Sequence, residues 1–198
     1  MTHLRTTLAA TVAALASTLG LAGAAPASAP AADGPTTAVT LNVKNCDGCV
    51  VELSSVMRTD WEDVWVSPRR KVRDGRVTVR VPTERTRGLS IAIDTPWATK
   101  LAHQTMVALR YRGYDVGDRV RFADLRDQRR ASGCWAGTTA DAAEMTVVVR
   151  KVTVPNNQGP TRGALAFTRT TQDYLFPMQR TYEGVLGTQD VFGCGPEA

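Results

Sequence analysis

The chain has 198 residues, 43% of them hydrophobic, with 24 Lys and Arg against 19 Asp and Glu. Past the N-terminal stretch, no apolar run is long enough to cross a bilayer, which excludes a bundle of membrane-spanning helices. The net charge of +5 rests almost wholly on arginine, and there are only two histidines, so histidine-dependent chemistry has few candidates.

Residues 1–29 carry Arg5, a small-apolar run over 8–25 and an Ala27-Ser28-Ala29 cleavage pattern with Pro30 beyond it. This three-part layout predicts a secretory signal peptide, and with it a secreted, extracellular product. Taking Arg5 from the 24 basic residues leaves 23 against 19 acidic, or +4, for the exported chain. Residues 30–37 read as a loose polar arm, and residues 38–198 as one domain, or as two small β domains split near 115. The exported part holds a single histidine, His103, in a stretch without a catalytic signature.

Asn45-Cys46-Asp47-Gly48-Cys49 comes next. If residues 39–45 and 49–55 form a hairpin, a three-residue loop pairs Val43 with Val51 and Leu41 with Leu53, placing their apolar faces together. A two-residue loop would set those faces on opposite sides. The expected turn holds Gly48 in the left-handed region, and Cys46–Cys49 becomes a short clip. A copper(I) site on the same two thiolates is the competing chemistry. The motif also resembles heavy-metal-associated copper domains, in which Val50, Leu53, Val56 and Met57 would make a helix face and Tyr114 a late aromatic. The Lys44-Asn45 lead-in departs from that family.

Asp60, Glu62 and Asp63 surround Trp61, and paired carboxylates there could support hydrolysis. Then follow Trp65 and the cluster Arg69, Arg70, Lys71, Arg73 and Arg76 about an Asp74-Gly75 turn. This reads as a basic loop tip with aromatics beside it, able to touch anionic wall polymers, phospholipid headgroups or nucleic acid.

Period-two alternation predicts strands through Val77, Val79 and Val81, through Leu89, Ile91 and Ile93, through Val107, Leu109 and Tyr111, and around Leu165 and Phe167. Residues 98–109 read as a loop followed by a strand, and residues 123–132 as a short helix. Over 145–154 the inward phase shifts near Arg150-Lys151, predicting a bulge. Together these predict an all-β, antiparallel β-sandwich of immunoglobulin-like or transthyretin-like type.

Four cysteines in an exported chain predict two disulfides, Cys46 with Cys49 and Cys134 with Cys194, with Trp135 packed on the second. Asn45 to Cys49, Ser132-Gly133-Cys134-Trp135-Ala136-Gly137-Thr138 and the closing Arg180 to Gly184 and Gln189-Asp190-Val191-Phe192-Gly193-Cys194 together resemble uncharacterised secreted proteins of actinomycetes. The resemblance implies export and a two-disulfide β-rich domain, and no activity.

The sequence thus predicts a secreted, non-catalytic binding module at the cell envelope, without a cofactor. Its expected partner is an anionic cell-wall polymer or a secreted protein, with nucleic acid disfavoured. An extracytoplasmic copper protein using Cys46 and Cys49 is the alternative, and a carboxylate hydrolase at Asp60 and Asp63 the third option.

Overall fold

A computed structural model describes residues 34–56, 63–98, 104–124, 131–154, 159–175 and Cys194, and within them the chain makes eleven strands, the longer ones rich in β-branched residues. They are β1 Thr36–Lys44, β2 Val50–Val56, β3 Val64–Val66, β4 Arg70–Lys71, β5 Arg76–Pro82 and β6 Leu89–Asp94. β7 Gln104–Ala108, β8 Arg110–Tyr111, β9 Ala131–Ser132, β10 Ala142–Val154 and β11 Thr161–Thr168 follow. One turn of 3-10 helix, Thr83–Thr86, joins β5 to β6.

Nine strands form one sheet in the order β3-β2-β6-β7-β11-β10-β1-β5, with β4 also on β2, while β8 and β9 pair separately. The sheet curls on itself. Val39 and Leu41 of β1, Leu53 of β2, Val79 of β5, Ile91 of β6 and Val147 of β10 all enter one buried apolar cluster. It is a mixed sheet, not the expected antiparallel one, because β1 runs parallel to β10 and β7 parallel to β11. Apolar alternation marks which face is buried and is blind to the direction of the neighbouring strand.

The expected hairpin of β1 with β2 does not form. Leu41 pairs with Val77 on one side and Met145 on the other. Leu53 pairs with Ile91. The Cys46–Cys49 link instead carries the chain from one half of the curled sheet to the other. Agreement of the apolar faces is satisfied across the core, by stacking, as well as it would be side by side. Gly48 is left-handed, with φ +78°, as the turn reading expected. Its N–H donates to the Val72 carbonyl at 3.1 Å, and the Val72 N–H donates to the Cys49 carbonyl at 2.7 Å.

Four further expectations are corrected by a second, smaller apolar cluster on the outer face of the sheet. It joins Ala108, Tyr111, Ala131, Val148 and Phe167. β10 keeps unbroken register along β11 from Val147 opposite Thr168 to Val154 opposite Thr161, so there is no bulge. The phase of the sequence shifts because Val148 faces the second cluster while Val147 and Val149 face the first. On β11 it is Ala164 and Ala166 that enter the main core, with Phe167 on the other side. Val107 and Leu109 point into the main core, but the strand breaks at Leu109 and Tyr111 turns outward into the second cluster. Ala131 and Ser132, expected in a helix, pair as strand with Tyr111 and Arg110, and residues 125–130 lie outside the described part.

Thr36 and Thr37, expected in the arm, open β1. The fully buried Thr37 donates its hydroxyl to the Ala140 carbonyl at 2.8 Å. The Asp74-Gly75 turn stands as expected, with φ of +52° and +70°. Two consecutive left-handed residues are what a tight hairpin between twisted strands requires.

Both cysteine pairs are at disulfide distance, with Cα–Cα separations of 5.6 Å for Cys46–Cys49 and 4.6 Å for Cys134–Cys194. No described cysteine is free. Thiol titration of unreduced, denatured protein should therefore give no free thiols per chain. Two per chain would leave one pair open and revive the copper chemistry.

Candidate anion-binding cleft

The second cluster exists because residues 112–124 fold over the outer face of β10 and β11. Gly113 and Gly117, with φ of +89° and +93°, let the backbone reverse twice in five residues. The segment is then stitched to residues 170–172. Gly117 N–H donates to the Thr171 carbonyl at 3.0 Å, and Thr171 N–H donates to the Asp118 carbonyl at 2.8 Å. Arg119 forms a β-bridge with Thr170.

Tyr114 is the hub of this segment. Its hydroxyl bonds the Asp124 carboxylate and accepts from the Arg121 backbone N–H at 3.2 Å. Arg121 Nε donates to Asp124 at 3.2 Å. The Arg121 guanidinium is therefore held more firmly protonated than usual, first by its hydrogen bond to Tyr114 and then by Asp124. That fixes the orientation of the side chain more than its charge, since arginine is cationic at any physiological pH.

Period-two geometry does the rest. Val148 and Arg150 share the outer face of β10, and Phe167 and Arg169 continue the outer face of β11 beside them. With Arg119, Arg121 and the loop residues Val120 and Phe122 they line a shallow, open cleft of about 330 Å³. Its rim carries four guanidinium groups, and its floor is two valines and two phenylalanines. No carboxylate lines it. The Arg150 guanidinium lies 4.0 Å over the Phe122 ring, whose other parts leave the residue 45% exposed. Stacking of this kind leaves the in-plane N–H groups of arginine pointing outward, ready for an oxyanion. Among the described residues no carboxylate pairs with Arg119, Arg150 or Arg169.

A second hollow of about 400 Å³ adjoins the first and shares Arg119 and Arg121 with it. Arg112 adds a further cation there, while Asp118 and Asp124 partly balance the charge.

The sites named from the sequence fare differently. The basic tip is split up by its neighbours. Trp65 is half-buried against the main core, and Trp61 lies outside the described residues. Arg69 is ion-paired with Asp94 and, at 3.9 Å, with Glu52, while Arg76 lies 4.0 Å from Glu144. Arg70 and Lys71 are the two residues of β4, exposed beside the exposed Arg73. Cys46 and Cys49 are buried in the main core. Among the described residues no group of three or more metal-ligating side chains gathers anywhere. Asp63 accepts from Arg85 at 2.7 Å, whereas Asp60, Glu62 and His103 lie outside the described residues. Trp135 is buried in the main core, bridged to Leu89 and Tyr174.

The arginine cleft was missed because its parts lie at 119–122, 148–150 and 167–169, with no local motif joining them. The available signal was Arg150-Lys151 interrupting an otherwise apolar run, which pointed at a bulge instead.

No protein-family model matches the chain, no curated protein matches it, and no solved structure matches it.

Proposed function

We propose that the chain is exported and serves, without catalysis, as a binding module at the cell envelope, holding an anionic component in the arginine-rimmed cleft. The observation that carries this reading is the cleft itself, with four arginines over an apolar floor and no lining carboxylate. Arg121 is paired with Asp124, but Arg119, Arg150 and Arg169 have no carboxylate partner among the described residues, and like charges gathered at one place attract a ligand of opposite charge. The leader-like residues 1–29 and two cysteine pairs at disulfide distance support an oxidising destination outside the cytoplasm. No helix among the described residues is long and apolar enough to cross a membrane. In this reading the curled sheet acts as a sandwich-type scaffold that holds β10 and β11 rigid beneath the loop.

The test is retention of the exported protein on cell-wall fractions. The double charge reversal R150E/R169E should weaken retention by about tenfold or more, since each lost charge-assisted contact is worth about 1.5–3 kcal/mol. Both positions are exposed, so circular dichroism should match the parent, and loss of the Arg150–Phe122 stacking should lower the unfolding midpoint by no more than about 4 °C. Equal retention of variant and parent would sink the reading.

A further inference from the structure

We propose that the ligand is a linear polyanion in which oxyanions alternate with uncharged carbon spacers, lying along a trough formed by the two adjoining hollows. This rests on the binding-module reading above and specifies its ligand. Three observations point to a chain in place of a compact anion.

The first is continuity. The hollows of about 330 and 400 Å³ share Arg119 and Arg121, so cations recur along one path, from Arg112 through the shared pair to Arg150 and Arg169. A single phosphate or carboxylate satisfies one or two guanidinium groups, and with Arg121 already held by Asp124 a repeating anion is needed to engage the other four. The second is the floor. The exposed Phe122 lies between the charged positions and offers nothing to a bare anion, but its open surface suits the C–H face of a sugar or glycerol spacer. The third is shape. Both hollows are shallow and open along the surface, so a flexible strand can lie through them lengthwise. Phosphodiester and carboxylate polymers share this chemistry, since the arginine fork accepts either oxyanion.

The experiment titrates the exported protein with poly(glycerol phosphate) and, separately, with polygalacturonate, each at several salt concentrations. Inorganic polyphosphate, glycerol phosphate monomer, a single-stranded oligonucleotide and phosphatidylglycerol vesicles serve as comparison ligands. One or both carbon-spaced polymers should bind at least about 100-fold more tightly than the monomer, and the tighter of the two identifies the oxyanion. The affinity should fall with salt, with a log–log slope of about −0.7 per arginine engaged. R112Q, R119Q and R150Q should each make the slope shallower by roughly that amount. F122A should reduce the preference for the carbon-spaced polymer over inorganic polyphosphate by about threefold, through loss of one apolar ring–spacer contact.

Monomer binding as tight as polymer binding overturns the proposal, as does a slope that R112Q leaves unchanged. Tighter binding of the oligonucleotide or of the vesicles also overturns it, in favour of base stacking or a membrane surface. If wall retention depends on Arg150 and Arg169 while neither soluble polymer binds, this inference fails and the binding-module reading stands. If wall retention ignores those arginines, the underlying reading has failed as well.

Discussion

Replacing Gly137 with alanine lowers the midpoint of thermal unfolding by about 6–12 °C. Gly137 has φ +89°, and a Cβ built there would stand 2.6 Å from the Arg87 nitrogen and 2.7 Å from its Cα. The Thr86 carbonyl carbon would be 2.8 Å away. These neighbours are backbone atoms, which cannot swing aside as a side chain can. They are also tied in place. The Thr86 hydroxyl accepts from the Thr138 N–H at 3.1 Å and has the Thr83 and Thr138 carbonyls within reach of its one proton, at 2.7 and 2.9 Å. Relief of the clash therefore breaks the seam between the 3-10 turn and the irregular segment after Trp135. Overpacking and an unfavourable φ together cost about 3 kcal/mol. At roughly 2–4 °C per kcal/mol for a chain of this size, that gives the stated shift. Gly34 supplies the control, because a Cβ there meets nothing within 4 Å. G34A should move the midpoint by less than about 1 °C, an ordinary surface change. A shift below about 2 °C for G137A would mean that the two segments separate freely and that the close approach is not part of the fold.

Removal of the long-range cysteine pair has a comparable or larger effect. The Cys134–Cys194 pair is separated by 60 residues, and closing such a loop is worth about 4 kcal/mol in the chain-entropy model. Cys194 is also held locally, since its N–H donates to the Ser90 hydroxyl at 2.6 Å beside the start of β6. The double variant C134S/C194S should therefore unfold about 8–16 °C below the parent. The Cys46–Cys49 pair, with a separation of only 3, should contribute about 2 kcal/mol by the same model. C46S/C49S should accordingly be the milder variant in calorimetry. The reverse order would show that the link between β1 and β2 holds the two halves of the sheet more than the terminal rivet does.

Gly137 also shows what a sequence motif can and cannot convey. The stretch around Cys134, Trp135 and Gly137 stands out as a unit in the sequence, yet nothing local says that Gly137 must lie against Arg87, fifty residues earlier. The Asp74-Gly75 turn is the opposite case. Its geometry depends on two adjacent residues that tolerate positive φ, so it could be read directly. Strand identity behaved in the same way. Val77, Val79 and Val81 alternate with exposed residues, and the structure buries all three. Where both faces are covered, as along β11, alternation loses its meaning, and the larger Phe167 is found on the outer face while Ala166 occupies the main core.

The basic tip and the arginine cleft make the same point for surface charge. Arg69, Arg70 and Lys71 are neighbours in sequence and attract notice, but Arg69 is spent on Asp94. Arg119, Arg150 and Arg169 are scattered in sequence, and the fold brings them to one rim.

The β-rich class, the Asp74-Gly75 turn and the pairing of the cysteines were legible from residues alone, because they follow from backbone preferences, the period of two and the small number of cysteines. The identity of neighbouring strands, the parallel placement of β1 against β10, the arch at Cys46–Cys49 and the cleft emerged with the folded chain, since burial of an apolar face is non-directional. Val43 and Val51 gain as much by facing each other across a core as by pairing in a hairpin, so only the hydrogen-bonding of the whole chain can choose between the two.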